Sequence, residues 1–135
     1  MDVGLLEGIM GRFFSGKTVP EHGGKIDSIK EHLAILLNTR RGSIPHLPDY
    51  GLPDSSQVSM RDMKAIIKFG KEIEETVRKY EPRLIHVRVR PMERDADSTA
   101  NFRLGFFLEA RVANESARFR AFFSASGSAD VDDVG

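Results

Sequence analysis

The stretch KEIEETVRKYEPRLIHVRVR, Lys71 to Arg90, changes its hydrophobic period halfway along. Up to Tyr80 the apolar positions fall three and four residues apart. Ile73, Val77 and Tyr80 continue a stripe begun by Met63, Ile66, Ile67 and Gly70, and such a stripe is one face of a long helix. From Ile85 onward Ile85, Val87 and Val89 alternate with His86, Arg88 and Arg90, the period of a half-buried strand. Pro82 cannot continue a helix, so EPRL, Glu81 to Leu84, is the joint between the two elements.

The same alternation returns downstream in Phe102, Leu104, Phe106, Leu108, Ala110 and Val112, and again in Phe119, Ala121 and Phe123. Polar turns around Asp95 to Ala100 and Ala113 to Ser116 separate these runs, so three consecutive strands form an antiparallel meander. Upstream, Ile26, Ile29, Leu33, Leu36 and Leu37 place a helix over Lys25 to Arg40, with Gly42 as its natural stop. Ser59, three residues before Asp62, signals the start of the long helix. A short amphipathic helix over Gly4 to Phe14 and a linker over Ser15 to Gly24 precede these elements, and an acidic tail from Ser124 is expected to be disordered by itself. Helices first and strands after predict a single α+β domain with helices packed on one face of a small three-stranded antiparallel sheet. The division is residues 1–24 (N-terminal helix and linker), 25–123 (domain) and 124–135 (flexible acidic tail).

The chain has 135 residues, 40% of them hydrophobic, and 20 basic residues balance 20 acidic ones. One core suffices at this size, and zero net charge gives no bulk attraction to nucleic acid or anionic membrane. There is no cysteine, so disulfides and thiolate metal sites are excluded, which fits a reducing compartment. The first residues lack both a basic region before an apolar run and a run long enough to span a bilayer, so the expected location is the cytoplasm.

Several motifs look chemical. GRFFSGKT, Gly11 to Thr18, fits the phosphate-loop pattern letter by letter, yet a helical pattern precedes it and Val19-Pro20 follows. A phosphate loop must leave a strand and open a helix, so this match is a chance one. His22, His32, His46 and His86 have none of the close spacings that put two imidazoles on one metal. Glu81, Asp49, Asp54, Glu93 and Glu109 include no pair singled out as the facing carboxylates of a glycoside hydrolase. The polar sheet face, His86, Arg88, Arg90, Arg103, Phe107, Arg111, Arg118, Arg120 and Phe122, has the residue types of an RNA platform but no ribonucleoprotein strand motif. An acidic protein partner suits it better.

What remains is LLNTRRGSIPHLPDYGLPD, Leu36 to Asp54, together with EPRL. Pro45, Pro48 and Pro53 fix φ and lower the entropy lost when the loop is held in one shape, which suits a docking surface. These two stretches resemble the signature of the TssE family of type VI secretion baseplate subunits, itself similar to the lysozyme-like wedge proteins of contractile phage tails. The resemblance runs from about Leu5 to Phe123. It implies a structural protein, without enzymatic activity or cofactor, in a cytoplasmic baseplate at the inner face of the membrane. The implied partners are the other wedge subunits (TssF, TssG, TssK) and the contractile sheath subunits (TssB, TssC), with no nucleic acid and no membrane insertion. The other reading is a lysozyme-like enzyme that cleaves peptidoglycan. By the resemblance, Glu81, Pro82 and Arg83 contact the wedge core, while Thr39, Arg40, Arg41, Gly42, Asp49, Tyr50 and Gly51 hold the loop against that joint and a neighbouring subunit. The strand Ala117 to Ser124 is expected to be a sheet edge, and this edge or its counterpart is expected to accept a sheath strand, with Arg118 and Arg120 selecting an acidic partner.

Overall fold

The change of period at Glu81 is the turning point of the chain in space as well as in sequence. The computed structural model describes residues 21–92 and 102–134. Within them lie α1 (Glu21–Asn38), a short 3-10 turn (Ser55–Gln57), α2 (Met63–Tyr80), β1 (Ile85–Pro91), β2 (Leu104–Val112), β3 (Glu115–Phe123) and β4 (Ala129–Asp133). The two helices pack on one face of an antiparallel sheet of order β1-β2-β3-β4, the expected α+β architecture with one strand more than the sequence suggested. The helix expected over Gly4 to Phe14, the GRFFSGKT motif, the linker as far as Pro20 and the turn at Asp95 to Ala100 lie outside the described residues.

Helix α1 begins inside the expected linker and stops at Asn38, four residues short of Gly42. Its last carbonyls are taken by side chains: Asn38 donates to the Ala34 carbonyl at 2.7 Å and Thr39 Oγ1 to that of Ile35 at 2.7 Å. The start of α2 is capped by Asp62 itself, whose carboxylate accepts from Ala65 N–H, while Ser59 lies outside and accepts from Arg61 N–H. Its buried face is Ile66, Phe69, Gly70, Ile73, Thr76 and Val77, rotated from the expected stripe so that Met63 is 59% exposed. Gly70 makes the rotation possible, because a side chain there would press within 3.3 Å of the Phe106 ring, and its absence lets α2 sit close to the sheet.

The core fills the space between the layers. Ile29, Leu33, Leu36 and Leu37 of α1 and Ile66, Phe69, Ile73 and Val77 of α2 cover Val87, Leu104, Phe106, Leu108, Ala110, Val112, Phe119, Ala121 and Phe123. Phe69, Phe106 and Phe123 meet edge to face or tilted at 5.3–6.0 Å between centroids. The alternation of β1 fails at its first residue, for the register slips between Ile85 and Arg88, and His86 has φ 55°. This bulge turns Ile85 outward, 46% exposed, and only Val87 and Val89 of that strand face the helices.

The acidic tail is a strand. Residues 129–133 pair antiparallel with β3 from Phe123↔Ala129 to Phe119↔Asp133, so β3 is an inner strand and not an edge open to a partner. Ala129 and Val131 alternate with Asp130 and Asp132, a pattern too short and too acidic to stand out beside the charge run. Arg120 already has an acidic neighbour in the same chain, with Asp132 at 3.5 Å. Asn38 secures the start of β4: its amide donates to the Ala129 carbonyl and accepts from the Ala129 N–H, each at 2.8 Å. Asn38→Ala breaks both bonds and is expected to lower local stability by about 1–2 kcal/mol, read as roughly tenfold faster amide exchange in β4 with little change in β2.

Candidate docking site

The loop between α1 and the 3-10 turn is closed at its base by main-chain bonds. Leu52 N–H donates to the Thr39 carbonyl and Arg41 N–H to the Leu52 carbonyl, both at 2.9 Å, so that Arg40 and Leu52 form a parallel bridge. Between these points three successive turns fold the proline-containing segment: Ser43 N–H to the Arg40 carbonyl, Leu47 to Ile44 and Tyr50 to Leu47, each at 3.1 Å. Gly51 has φ +102°, and a Cβ there would collide with the Thr39 carbonyl, so only glycine lets the DYG segment return alongside TRRG. Gly42, also at positive φ, sits in open space.

Helix α2 holds this loop from below. The Arg41 guanidinium reaches Glu72 at 2.9 Å and Thr76 Oγ1 at 3.1 Å, and Thr76 Oγ1 donates to the Gly51 carbonyl at 3.4 Å. Lys79 pairs with Asp49 at 2.9 Å on the surface and lowers its carboxyl from the ordinary range. Arg40 lies near Asp54 at 3.5 Å. Tyr50 turns inward, its ring edge-on to Tyr80 at 4.9 Å and its hydroxyl 3.3 Å from His32 Nε2.

His32 joins the loop to the EPR joint. Its Nδ1 lies 2.7 Å from Glu81 Oε2, and because a carboxylate only accepts, Nδ1 carries the proton. Arg83 grips the same carboxylate with two bonds, Nε to Oε1 at 2.8 Å and a terminal nitrogen to Oε2 at 2.9 Å, while its other terminal nitrogen donates to Ser28 Oγ at 3.0 Å. The Arg83 N–H adds a bond to Oε1 at 3.3 Å. Pro82 is exposed at the crest of the joint. Glu81 is 1% exposed, yet burial, which pushes its carboxyl up, is outweighed by the hydrogen bonds from His32 and Arg83 and by their charge, which bring it to about 2. Burial, and then the charge of Glu81, push the Tyr50 hydroxyl up.

The structure thus brings Thr39, Arg41, Tyr50, Gly51, Glu81 and Arg83 into one connected cluster, with Arg40, Gly42, Asp49 and Pro82 on its rim. Arg118 and Arg120 lie elsewhere, on the sheet face turned away from the helices. There Glu109 lies within 3.5 Å of Arg118 and 3.7 Å of Arg90, and Arg90 and Arg120 stack over Phe107 and Phe122. Arg103 leaves that face altogether, donating to the Ser55 and Val58 carbonyls. Sequence reasoning missed His32, Ser28, Glu72 and Thr76. His32 had a faint signal, since Ser28 and His32 border the apolar stripe of α1 one turn apart, on the flank that turns out to meet the joint.

As chemistry, the cluster offers a filled carboxylate. A general acid must hold a proton at neutral pH, and Glu81 is ionised with its lone pairs occupied. Among the described residues no group of His, Cys, Asp and Glu could hold a metal ion, and no helix is long and apolar enough to cross a membrane.

The family model of the baseplate wedge protein gp25 matches residues 25–117, more than half of the chain, and the chain belongs to that family. A chain of a solved baseplate complex from the type VI secretion system is similar, 30% identical with a TM-score of 0.56, the match covering 70% of this chain and 78% of that one. A protein described as a candidate tail lysozyme, from Geobacter sulfurreducens, has the same fold at 20% identity and a TM-score of 0.55, with 89% and 97% covered. No curated protein matches. The resemblance read from TRRG, DYG and EPR is borne out by the family match and the baseplate neighbour.

Two expectations follow from the cluster. Gly51→Ala is expected to cost more than about 2 kcal/mol, since strain and collision add, whereas Gly42→Ala costs roughly 1 kcal/mol from strain alone, both read from urea unfolding. The Glu81 carboxyl is held below its ordinary 4.5, so its contribution is complete above that pH and is lost as pH falls through about 2. Glu81→Gln is expected to cost on the order of 3 kcal/mol at pH 7 and to flatten the fall in stability between those two pH values.

Proposed function

We propose that this chain is a structural subunit of a type VI secretion baseplate wedge, assembled on the cytoplasmic side of the membrane. It docks on other wedge subunits (TssF, TssG, TssK) through the TRRG/DYG loop and the EPR joint, and it anchors the first layer of the contractile sheath (TssB, TssC). One observation carries this reading. Two motifs about thirty residues apart in sequence are welded through His32 and Glu81 into a single rigid surface, which presents the partly exposed Arg83 beside a loop stiffened by three prolines. Preorganisation of this kind lowers the entropy lost on docking. A peptidoglycan-cleaving role needs a carboxyl that holds its proton, and the buried Glu81 is instead kept ionised by His32 and Arg83.

Sheath anchoring cannot use β3 as an edge, because β4 fills it. We assign Arg118 and Arg120 instead to a sheath-facing surface that works through side chains, with Phe107 and Phe122 as apolar neighbours.

Arg83→Ala tests the reading. Removing one partner of a buried ion pair costs about 3–5 kcal/mol, and because Arg83 is itself 39% exposed and Glu81 keeps its bond from His32, the variant is expected to fold with a loss at the lower end of that range. Its copurification with tagged TssF and TssG should fall at least tenfold, because an interfacial charge pair loses about 2–5 kcal/mol when truncated. A folded variant that still copurifies at the wild-type level would confine Arg83 to the internal joint.

A further inference from the structure

Both outer edges of the sheet are touched by helix side chains that imitate a neighbouring strand. On β1, Glu74 accepts from Val89 N–H at 3.1 Å and Arg78 donates to the Val87 carbonyl at 3.1 Å, and the two side chains pair with each other at 3.0 Å across one helical turn. Pro91, next on the same side of the strand, has no N–H to offer. On β4, Asn38 occupies both backbone groups of Ala129, but Val131 faces the same way, and its N–H and carbonyl have no helix or loop partner among the described residues. Among the described residues, therefore, one edge is stopped and the other is half open.

The two edges are complementary. The fully antiparallel order makes β1 and β4 run in opposite directions, so β4 of one copy laid beside β1 of another would continue the same alternation. On the face away from the helices β1 carries Arg88 and Arg90, whereas β4 carries Asp130 and Asp132. On the helix side β1 carries Val87 and Val89 and β4 carries Ala129 and Val131. Pairing β1 with β1 would set arginines opposite each other, and pairing β4 with β4 would do the same with aspartates, both unfavourable. The matching contact is head to tail, a geometry with no built-in closure.

We propose that the Glu74–Arg78 pair is a removable stop on β1, and that with it gone β1 takes the acidic β4 edge of a second copy, joining chains through a continuous sheet. Arg78 is more than half exposed and both side chains project from the flank of α2, so removing them leaves Ile73 and Val77 in the core. This inference is independent of the baseplate reading.

The test is sedimentation velocity of the full chain over a range of concentrations at low salt. Glu74→Ala/Arg78→Ala is expected to reach at least about twice the weight-average mass of the wild type and to fall back when salt screens the Arg–Asp ladder. Adding Val131→Pro removes an outward N–H of β4 without touching a bond to β3, and should return the protein to the wild-type mass. A folded double variant that sediments like the wild type overturns the proposal, as does association that survives Val131→Pro or a wild type that associates to the same extent. Should the double variant fail to fold, Glu74→Ala and Arg78→Ala are measured singly, and two folded proteins of unchanged mass overturn the proposal equally.

Discussion

The fold turns on one buried anion. Glu81 closes α2, and its carboxylate has been withdrawn from water at a place where three parts of the chain converge: α1 through His32 and Ser28, the proline-containing loop through Tyr50, and the turn into β1 through Arg83. A charge so placed is tolerable only when every acceptor position is answered, and the cost of leaving one unanswered is several kcal/mol. The constraint works in both directions. It fixes where α1 lies against the joint, and it sets the direction in which the chain leaves α2 to begin the sheet.

What the sequence revealed, and what it hid, follows from the range over which each force acts. The break at Pro82, the α2 stripe and the alternations of β2 and β3 are local patterns, and all are present. The rotation of α2 that buries Phe69 and exposes Met63 depends on a missing side chain at Gly70 meeting Phe106 from a distant strand. The bulge at Ile85 and His86 depends on register against β2. Strand β4 was hidden because three aspartates in five residues read as solvated, whereas Asn38 and Arg120 supply partners no window of sequence contains. The candidate docking cluster was legible as motifs but not as a network, for His32 is linked to Glu81 across forty-nine positions.

The outward sheet face shows how a run of arginines can be balanced without losing its character. Glu109 is shared by Arg90 and Arg118 across three strands, Asp132 answers Arg120, and Phe107 and Phe122 take up two of the guanidinium planes. Such a face keeps directional cationic groups for a protein surface while presenting little net charge to a polyanion, since attraction to phosphate backbones grows with the number of unpaired cations.

The loop from Thr39 to Leu52 is fastened at its base and exposed along its crown from Pro45 to Asp49. Its two ends are fixed by main-chain bonds that do not pass through the crown, so chain length added there leaves the base unchanged apart from a small closure entropy. A peptide tag or a fluorescent reporter inserted between His46 and Leu47 would open the turn from Ile44 to Leu47 but leave the base bonds of Thr39, Arg41 and Leu52 in place. The crown is the place where this protein can be labelled, lengthened or sterically blocked while its core and its buried anion stay as they are.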